Sequence, residues 1–493
     1  MLDKRVEELR NSLSGRDLQK LETSLEHFLS YLDTLEEKQE KSNHELTQEQ
    51  RVIFKELKKD LISDENFMDK NRNIFVLRGS AGTGKTYITE ELVSSLKKKF
   101  KIGVLAPTHK ALKVIRERVG ETENKKVIFK TVHSFLGLKP KIDHKTGEQI
   151  FAIDNSADAK KNKQEKVDIL IIDEASFIGN ALFYEIYQAV FKKGRAKKIL
   201  FIGDSLQLLP INSENENTLP KEFKKYDSPV FENVDYKNFI LRKVVRNDDF
   251  GVLDLFLKVR TLLENSGTKK ELFDILKIQA EKRHKKISFF NNQQDFLEKY
   301  LSFNNFKNED NIIVSFTNNR VNFYNEEARN FYFDGEAPDI SKDDLFVVQT
   351  TTEKSTFYNS QVIGVNSFKS GVEIIDADEV EFWDCEFHGE KYKILKKTEK
   401  QKFKNILEAL KTRAIKEKNP KLKGVRWGEY YQTLETFLDY KYHYSCTVHK
   451  AQGSTYKNVF IDMQGINYLS DEEFLRLFYV AITRTSNSIN ILI

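Results

Sequence analysis

Gly79-Ser80-Ala81-Gly82-Thr83-Gly84-Lys85-Thr86 places glycines, a lysine and a hydroxyl at the spacing needed to cradle a chain of phosphates. The glycines permit a tight loop whose backbone N–H groups face phosphate oxygens, and a helix beginning at the loop's end adds a favourable potential for anions. Lys85 is then the side chain that reaches the β- and γ-phosphates, and the Thr86 hydroxyl is a ligand for Mg²⁺. A nucleoside triphosphate with Mg²⁺ is the expected occupant. Farther on, Ile169-Leu170-Ile171-Ile172 delivers two adjacent carboxylates, Asp173 and Glu174. Asp173 suits Mg²⁺, directly or through water, and Glu174 suits the water that attacks the γ-phosphate. A third apolar run, Ile199 to Ile202, ends in Gly203-Asp204-Ser205-Leu206-Gln207. The Gln207 amide both donates and accepts, so it can sense a γ-phosphate and its water.

These segments need elements to hold them. Ile74–Leu77 reads as a buried strand before the glycine loop, and Tyr87–Leu96 after it has helical spacing. With Ile102–Ala106, Ile169–Ile172 and Ile199–Ile202 as further strands, the alternation predicts an α/β fold whose parallel sheet has helices on both faces. A second α/β unit is marked by Ile312–Phe316, Val459–Asp462 and Ile489–Ile493. Two stretches break the rhythm. Leu138 to Lys166 reads as a hairpin turning near Lys145-Thr146-Gly147, followed by a polar run from Lys160 to Lys166. Asp339 to Tyr440 holds short β-rich pieces (Leu345–Val348, Gln361–Val365, Val372–Ile375, Val380–Trp383) and then a basic helical stretch, Lys396 to Leu438. The expected division is 1–45, a leucine-patterned helical extension; 46–137 with 167–237, the first unit; 138–166, its insertion; 238–338 with 441–493, the second unit; and 339–440, its insertion. No internal repeat stands out.

A chain of 493 residues exceeds what one core supports, so two to four domains are expected. Only Cys385 and Cys446 occur, without metal-ligand spacing, which predicts a reducing, cytoplasmic compartment and neither a disulfide framework nor a zinc site. No run approaches a membrane span, and the N-terminus lacks an apolar signal region. The net charge of +5 is modest, but Lys391 to Arg426 carries 14 Lys/Arg against 3 Glu. Such a segment is either a phosphate-backbone contact or a solvated helical face.

The series Gly-x-Ala-Gly-Thr-Gly-Lys-Thr, Asp173-Glu174-Ala175-Ser176 and Gly203-Asp204-x-x-Gln207-Leu208 resembles motifs I, II and III of superfamily 1 helicases. Leu46-Thr47-Gln48-Glu49-Gln50 resembles the family's adenine-reading motif, with Gln50 in the reading position. Ala106-Pro107-Thr108-His109-Lys110-Ala111 and Thr131-Val132-His133-Ser134-Phe135 are similar to motifs Ia and Ib, and Leu241 to Arg246 to motif IV. Tyr444 to Thr455 is similar to motif V and Leu477 to Arg484 to motif VI. The Thr-x-His-Lys-x-Gln-Gly string points to the 5′→3′ branch, closest to the Dda-like and RecD-like helicases. Departures are small: Leu209 stands where Pro is commoner and Asn247 where Gln is usual.

The resemblance implies two RecA-like P-loop lobes closing on Mg-ATP, with a β-hairpin pin inserted in the first and an SH3-like barrel plus helical tower in the second. It implies Lys85, Glu174, Gln207, Arg246 and Arg484 as catalytic residues, Arg484 as the arginine finger and Arg246 reaching the γ-phosphate from the second lobe. Nucleotide contacts fall on Gln50, Gly79, Ser80, Ala81, Gly82, Thr83, Gly84, Lys85, Thr86, Tyr87 and Gly453, and the metal on Thr86 and Asp173. DNA contacts fall on Pro107, Thr108, His109, Thr131, His133, Ser134, Phe135, Thr447, His449 and Lys450. Phe135 and Phe151 are candidates for base stacking, a core role being the better reading of Phe151. The tower lysines Lys396, Lys397, Lys400, Lys402 and Lys404 either face DNA or simply solvent. Cys446 is expected to be a packed small residue. The implied activity is 5′→3′ translocation on single-stranded DNA with unwinding of forked duplex by a monomeric motor, a protein partner being reserved for the N-terminal extension. Three other readings stay open: a translocase without sustained unwinding, an RNA-directed motor, and a nucleotide-dependent scaffold.

Overall fold

Four-residue apolar runs become the centre of a parallel sheet because both faces are covered. In the computed structural model β1 (Ile74–Gly79) has Ile74 and Val76 in one core and Phe75 and Leu77 in the core on the opposite face. The described residues are 46–63, 70–119, 126–142, 149–153, 165–210, 219–220, 223, 227–245, 249–282, 284–303, 309–342, 344–349, 357–466 and 468–493. The leucine-patterned extension, Arg246, Asn247 and most of the polar run after the hairpin lie outside them.

The first sheet is completed by β2 (Ile102–Ala106), β3 (Val127–Thr131), β6 (Ile169–Ile172), β7 (Lys198–Gly203) and β8 (Lys237–Leu241), and β4 (Leu138–Ile142) and β5 (Gln149–Ile153) form a separate antiparallel hairpin. Its order is β3-β2-β6-β7-β1-β8, every neighbour parallel. The helix Gln48–Ile62 starts in a capping box, Thr47 accepting from Gln50 N and Gln50 from Thr47 N, and buries Ile53, Leu57 and Leu61 on one face of the sheet. The hairpin leaves the lobe directly after the short helix Val132–Leu136, where Gly137 at φ 72° supplies a left-handed turn.

The second sheet begins with β9 (Ile287–Phe290) and β10 (Asn311–Ser315). An excursion comes next: β11 (Leu345–Val348), β12 (Val362–Gly364), β13 (Ser367–Ile375), β14 (Asp378–Phe387), β15 (Glu390–Leu395), the helices Lys400–Lys416 and Pro420–Leu434, and β16 (Tyr440–Tyr442). The chain then re-enters with β17 (Ser445–Thr447), β18 (Tyr456–Asp462) and β19 (Thr485–Leu492), giving the parallel order β17-β10-β18-β19-β9. Within the excursion, β12-β11-β16 and β13-β14-β15 are two small antiparallel sheets. The helical pair buries Phe403, Ile406 and Leu410 against Val380, Phe382 and Phe437.

Two expectations are corrected. The first lobe does not end at residue 237: β8 pairs in parallel with β1, so the chain leaves the first sheet only after Leu241. Leu241 to Val245 therefore emerges from the first lobe, not the second, and Val245 N donates to Gly82 O at 2.7 Å. β8 escaped notice because an edge strand alternates: Phe239 and Leu241 are buried while Lys237, Asn238 and Ile240 are exposed. Of the tower lysines, Lys396 is engaged within the protein, pairing with Glu381 at 2.6 Å and lying over the Trp383 ring, and Lys402 donates to Glu379 O. Among the described residues no helix is long and apolar enough to cross a membrane.

Candidate functional site

The C-terminal ends of β1, β6 and β7 converge on one cleft of about 860 Å³, where parallel sheets gather ligands. Its lining from the first lobe includes Gln50, Ala81, Gly82, Gly84, Lys85, Thr86, Tyr87, Asp173, Glu174 and Gln207, and from the second Gly453 and Arg484. Gly79, Ser80 and Thr83 sit within the loop itself rather than on its surface. The loop needs its glycines. Gly82 and Gly84 have φ of 84° and 85°, and a Cβ on Gly84 would run into the Gln50 amide. That amide donates to Thr83 O at 2.9 Å while its oxygen accepts from Thr47 N, so the residue expected to read adenine also braces the phosphate loop.

Lys85 begins the helix Lys85–Leu96 and folds its ammonium onto Gly79 O and Ser80 O at 2.7 and 2.9 Å. The Ser80 hydroxyl is buried without a hydrogen-bond partner. A phosphate oxygen would satisfy it, so the loop fits the nucleotide that its spacing implies. Asp173 is 6 % exposed, and burial together with the neighbouring Glu174 charge pushes its carboxyl up to about 7. Asp173 and the Thr86 hydroxyl line the same cleft, a pair of oxygen ligands that fits Mg²⁺. Glu174 takes a left-handed φ of 52°, uncommon for a residue with a Cβ, and Gly453 of the other lobe lies against it: a Cβ added there would stand 4.0 Å from Glu174 Oε1.

The two lobes meet through a polar seam. Gln452 Nε2 donates to Gln207 Oε1 at 2.9 Å and approaches Ser176 Oγ at 3.5 Å. Arg476 donates to Ser205 O and Gln207 O at 2.9 and 2.7 Å, and Tyr479 OH donates to Asp204 Oδ2 at 2.9 Å. Leu206 and Leu208 pack against the second lobe's core. Sequence reasoning missed Arg476, Tyr479 and Gln452 as lobe contacts. The helix Asp471–Ile482 signals only its amphipathic spacing, and nothing in it says that one polar side meets Asp204. Arg484 is 3 % exposed and donates to Val480 O, Ser454 O and Thr483 Oγ1, all within its own lobe. Burial lowers its pKa against the opposing charges of Glu174 and Asp204 across the cleft.

The candidate DNA contacts stand at the ends of β2, β3 and β17. Pro107, Thr108 and His109 open the helix His109–Val119, with Thr108 and His109 exposed. Thr131 and Thr447 use their hydroxyls as helix caps, accepting from Ser134 N and Lys450 N. His449 is exposed, and Lys450 donates to Asn359 at 3.0 Å. Two aromatic assignments reverse. Phe135 is 1 % exposed, with the Arg195 guanidinium 3.8 Å from its ring centroid, so it cannot stack on a base. Phe151 is 58 % exposed, its ring 4.2 Å from that of His133. Burial raises both thiols, Cys385 to about 12 and Cys446 to about 11, and both are unreactive packing groups. Lys110 and His443, which no expectation named as site residues, line the same cleft, and burial lowers both pKa values.

Similarity to known proteins agrees with this geometry. The AAA domain family matches residues 65–213 and the UvrD-like helicase C-terminal domain family residues 442–492. The chain is 26 % identical to the RecBCD enzyme subunit RecD of Buchnera aphidicola subsp. Schizaphis graminum over 506 residues, covering 89 % of this chain and 73 % of that protein. The chain resembles superfamily 1 helicases of the Pif1/RecD-like branch. The uncharacterized protein R530 of Acanthamoeba polyphaga mimivirus is 24 % identical, with 87 % and 97 % of the two chains covered. The Bacteroides Pif1 structure bound to single-stranded DNA shares the fold of this protein at a TM-score of 0.51 and 16 % identity, covering 91 % of this chain and 92 % of that one.

Proposed function

We propose that this protein is an ATP-dependent DNA motor that moves 5′→3′ along single-stranded DNA as a monomer and opens forked duplex as it goes. The observation that supports this most is the single cleft lined by Lys85, Thr86, Asp173, Glu174 and Gln207 from one sheet and by Gly453 and Arg484 from the other. Lys85 exchanges two loop carbonyls for phosphate oxygens, and Glu174 holds the attacking water. Mg²⁺ on Thr86 and Asp173 would neutralise charge on the transferring phosphate. Arg484 reaches the γ-phosphate by giving up its carbonyl partner Ser454, a movement that draws the lobes together. Because Gln207 is bonded to Gln452, sensing at the γ-phosphate passes directly to the segment that begins at Thr447.

The hairpin β4–β5 stands beside His133 through Phe151, and we assign strand separation to it. Forked duplexes with only a 5′ or only a 3′ single-stranded tail test the reading. Unwinding from the 5′ tail with ATP is expected, and preference for the 3′ tail would refute the polarity. DNA-stimulated hydrolysis without strand displacement would instead favour a translocase that does not unwind.

A further inference from the structure

The loop entering β12 crosses from the excursion to both lobes. Tyr358 faces His109 with ring centroids 6.1 Å apart and planes 29° from parallel. Lys113, one turn along the His109 helix, lies near enough to Tyr358 for the phenol to raise the lysine's pKa through charge. The next residue, Asn359, accepts from Lys450 at 3.0 Å. Three elements distant in sequence thus bring two near-parallel rings together in the neighbourhood of Lys113 and Lys450.

We propose that Tyr358 and His109 form a clamp that sandwiches one base of the single-stranded nucleic acid, with Lys113 and Lys450 taking the phosphates on either side of it. The proposal rests on the helicase reading above and adds a base-binding position to it. Sandwiching a base needs two stacking intervals, about 6.8 Å in all, which is close to the 6.1 Å between the ring centroids. His109 is exposed and Tyr358 half-buried, so neither ring is committed to a core. Burial lowers the His109 pKa, leaving a neutral imidazole at neutral pH, suited to stacking. Stacking reads no sequence, since every base has a π-face, and that suits a motor that must accept any strand. Asn359 offers Lys450 an amide oxygen where a phosphate oxygen would otherwise stand, so the loop releases that lysine as DNA enters.

The test pairs protein and DNA changes in the full chain. Affinity is measured for single-stranded oligonucleotides carrying one abasic site at successive positions, with the wild type, Tyr358→Ala and Tyr358→Phe. One position is expected at which the abasic site weakens wild-type binding roughly ten-fold, near the low end for a base–aromatic stack. Tyr358→Ala should weaken binding of intact DNA by a similar factor and be indifferent to the abasic site there, while Tyr358→Phe keeps the wild-type pattern. A 2-aminopurine at that position should be quenched by the wild type and not by Tyr358→Ala. Additive losses, or equal quenching by both proteins, would overturn the clamp while leaving the helicase reading intact. A wild type that binds no single-stranded DNA would overturn both.

Discussion

The two sheets end at one edge in the same tripeptide. Thr131-Val132-His133 starts on the last residue of β3, and Thr447-Val448-His449 on the last residue of β17. Each threonine caps a short helix, each valine is fully buried, and neither histidine is part of a core. The neighbouring strands match as well: Thr108 after β2 and Thr317 after β10 accept from Ala111 N and Arg320 N. The lobes thus correspond internally, although no repeat is visible along the sequence. Beyond the tripeptide the two lobes diverge. In the first lobe the chain buries Phe135 beneath Arg195 and runs into the hairpin. In the second it runs into Gln452 and Gly453, which touch Gln207 and Glu174. One local solution therefore serves two ends: the first lobe uses it to hang a β-hairpin, the second to reach Gln207 and Glu174 in the cleft.

Three sets of substitutions probe that difference. The largest effects belong to the cleft: Lys85→Ala should abolish ATP hydrolysis, and Arg484→Ala should slow it by ~10³-fold by the arginine-finger precedent. A steady-state ATPase assay with single-stranded DNA checks both, and near-normal turnover of Arg484→Ala would mean that the second lobe does not complete the site. Next, Phe135→Ala should cost ~3–5 kcal/mol of stability, whereas Phe151→Ala should stay within ~0.5 kcal/mol and chiefly impair strand separation. Urea unfolding beside the forked-duplex assay separates the two, and a folding defect in Phe151→Ala would return that ring to the core. The smallest effect is the most symmetric: Thr131→Ala and Thr447→Ala should each cost ~1 kcal/mol, the value of a cap. Their activities should diverge. Thr447→Ala should lower DNA-stimulated hydrolysis more, because its helix leads directly to Gln452. Equal loss in both would dissolve the asymmetry between the lobes.

The legible parts of the fold were those with a strong local signal. β1, β2, β6 and β7 are apolar runs covered on both faces, and the glycine loop carries its own spacing. β3, β8, β9 and β17 went unnoticed because they lie at sheet edges or are only three or four residues long, where polar side chains interrupt the pattern. Phe135 and Phe151 were read the wrong way round for a similar reason. Burial of Phe135 depends on Arg195, sixty residues away, whose NH1 also donates to the Phe135 carbonyl. The charge of the segment after Lys391 was countable, but Lys396 finds Glu381 and Trp383 only once β14 is folded beside it.

By itself the sequence determined the phosphate loop, the carboxylate pair and the order of the motifs, because these depend on residue type and short spacing along one strand, turn or helix. Only the tertiary structure decided which lobe carries the segment after Leu241, that Gln207 is held by Gln452 and Asp204 by Tyr479, and that Tyr358 comes to face His109. Each of those contacts joins residues whose separation in the chain carries no local signal, and packing of the sheets and their excursion is what brings them together.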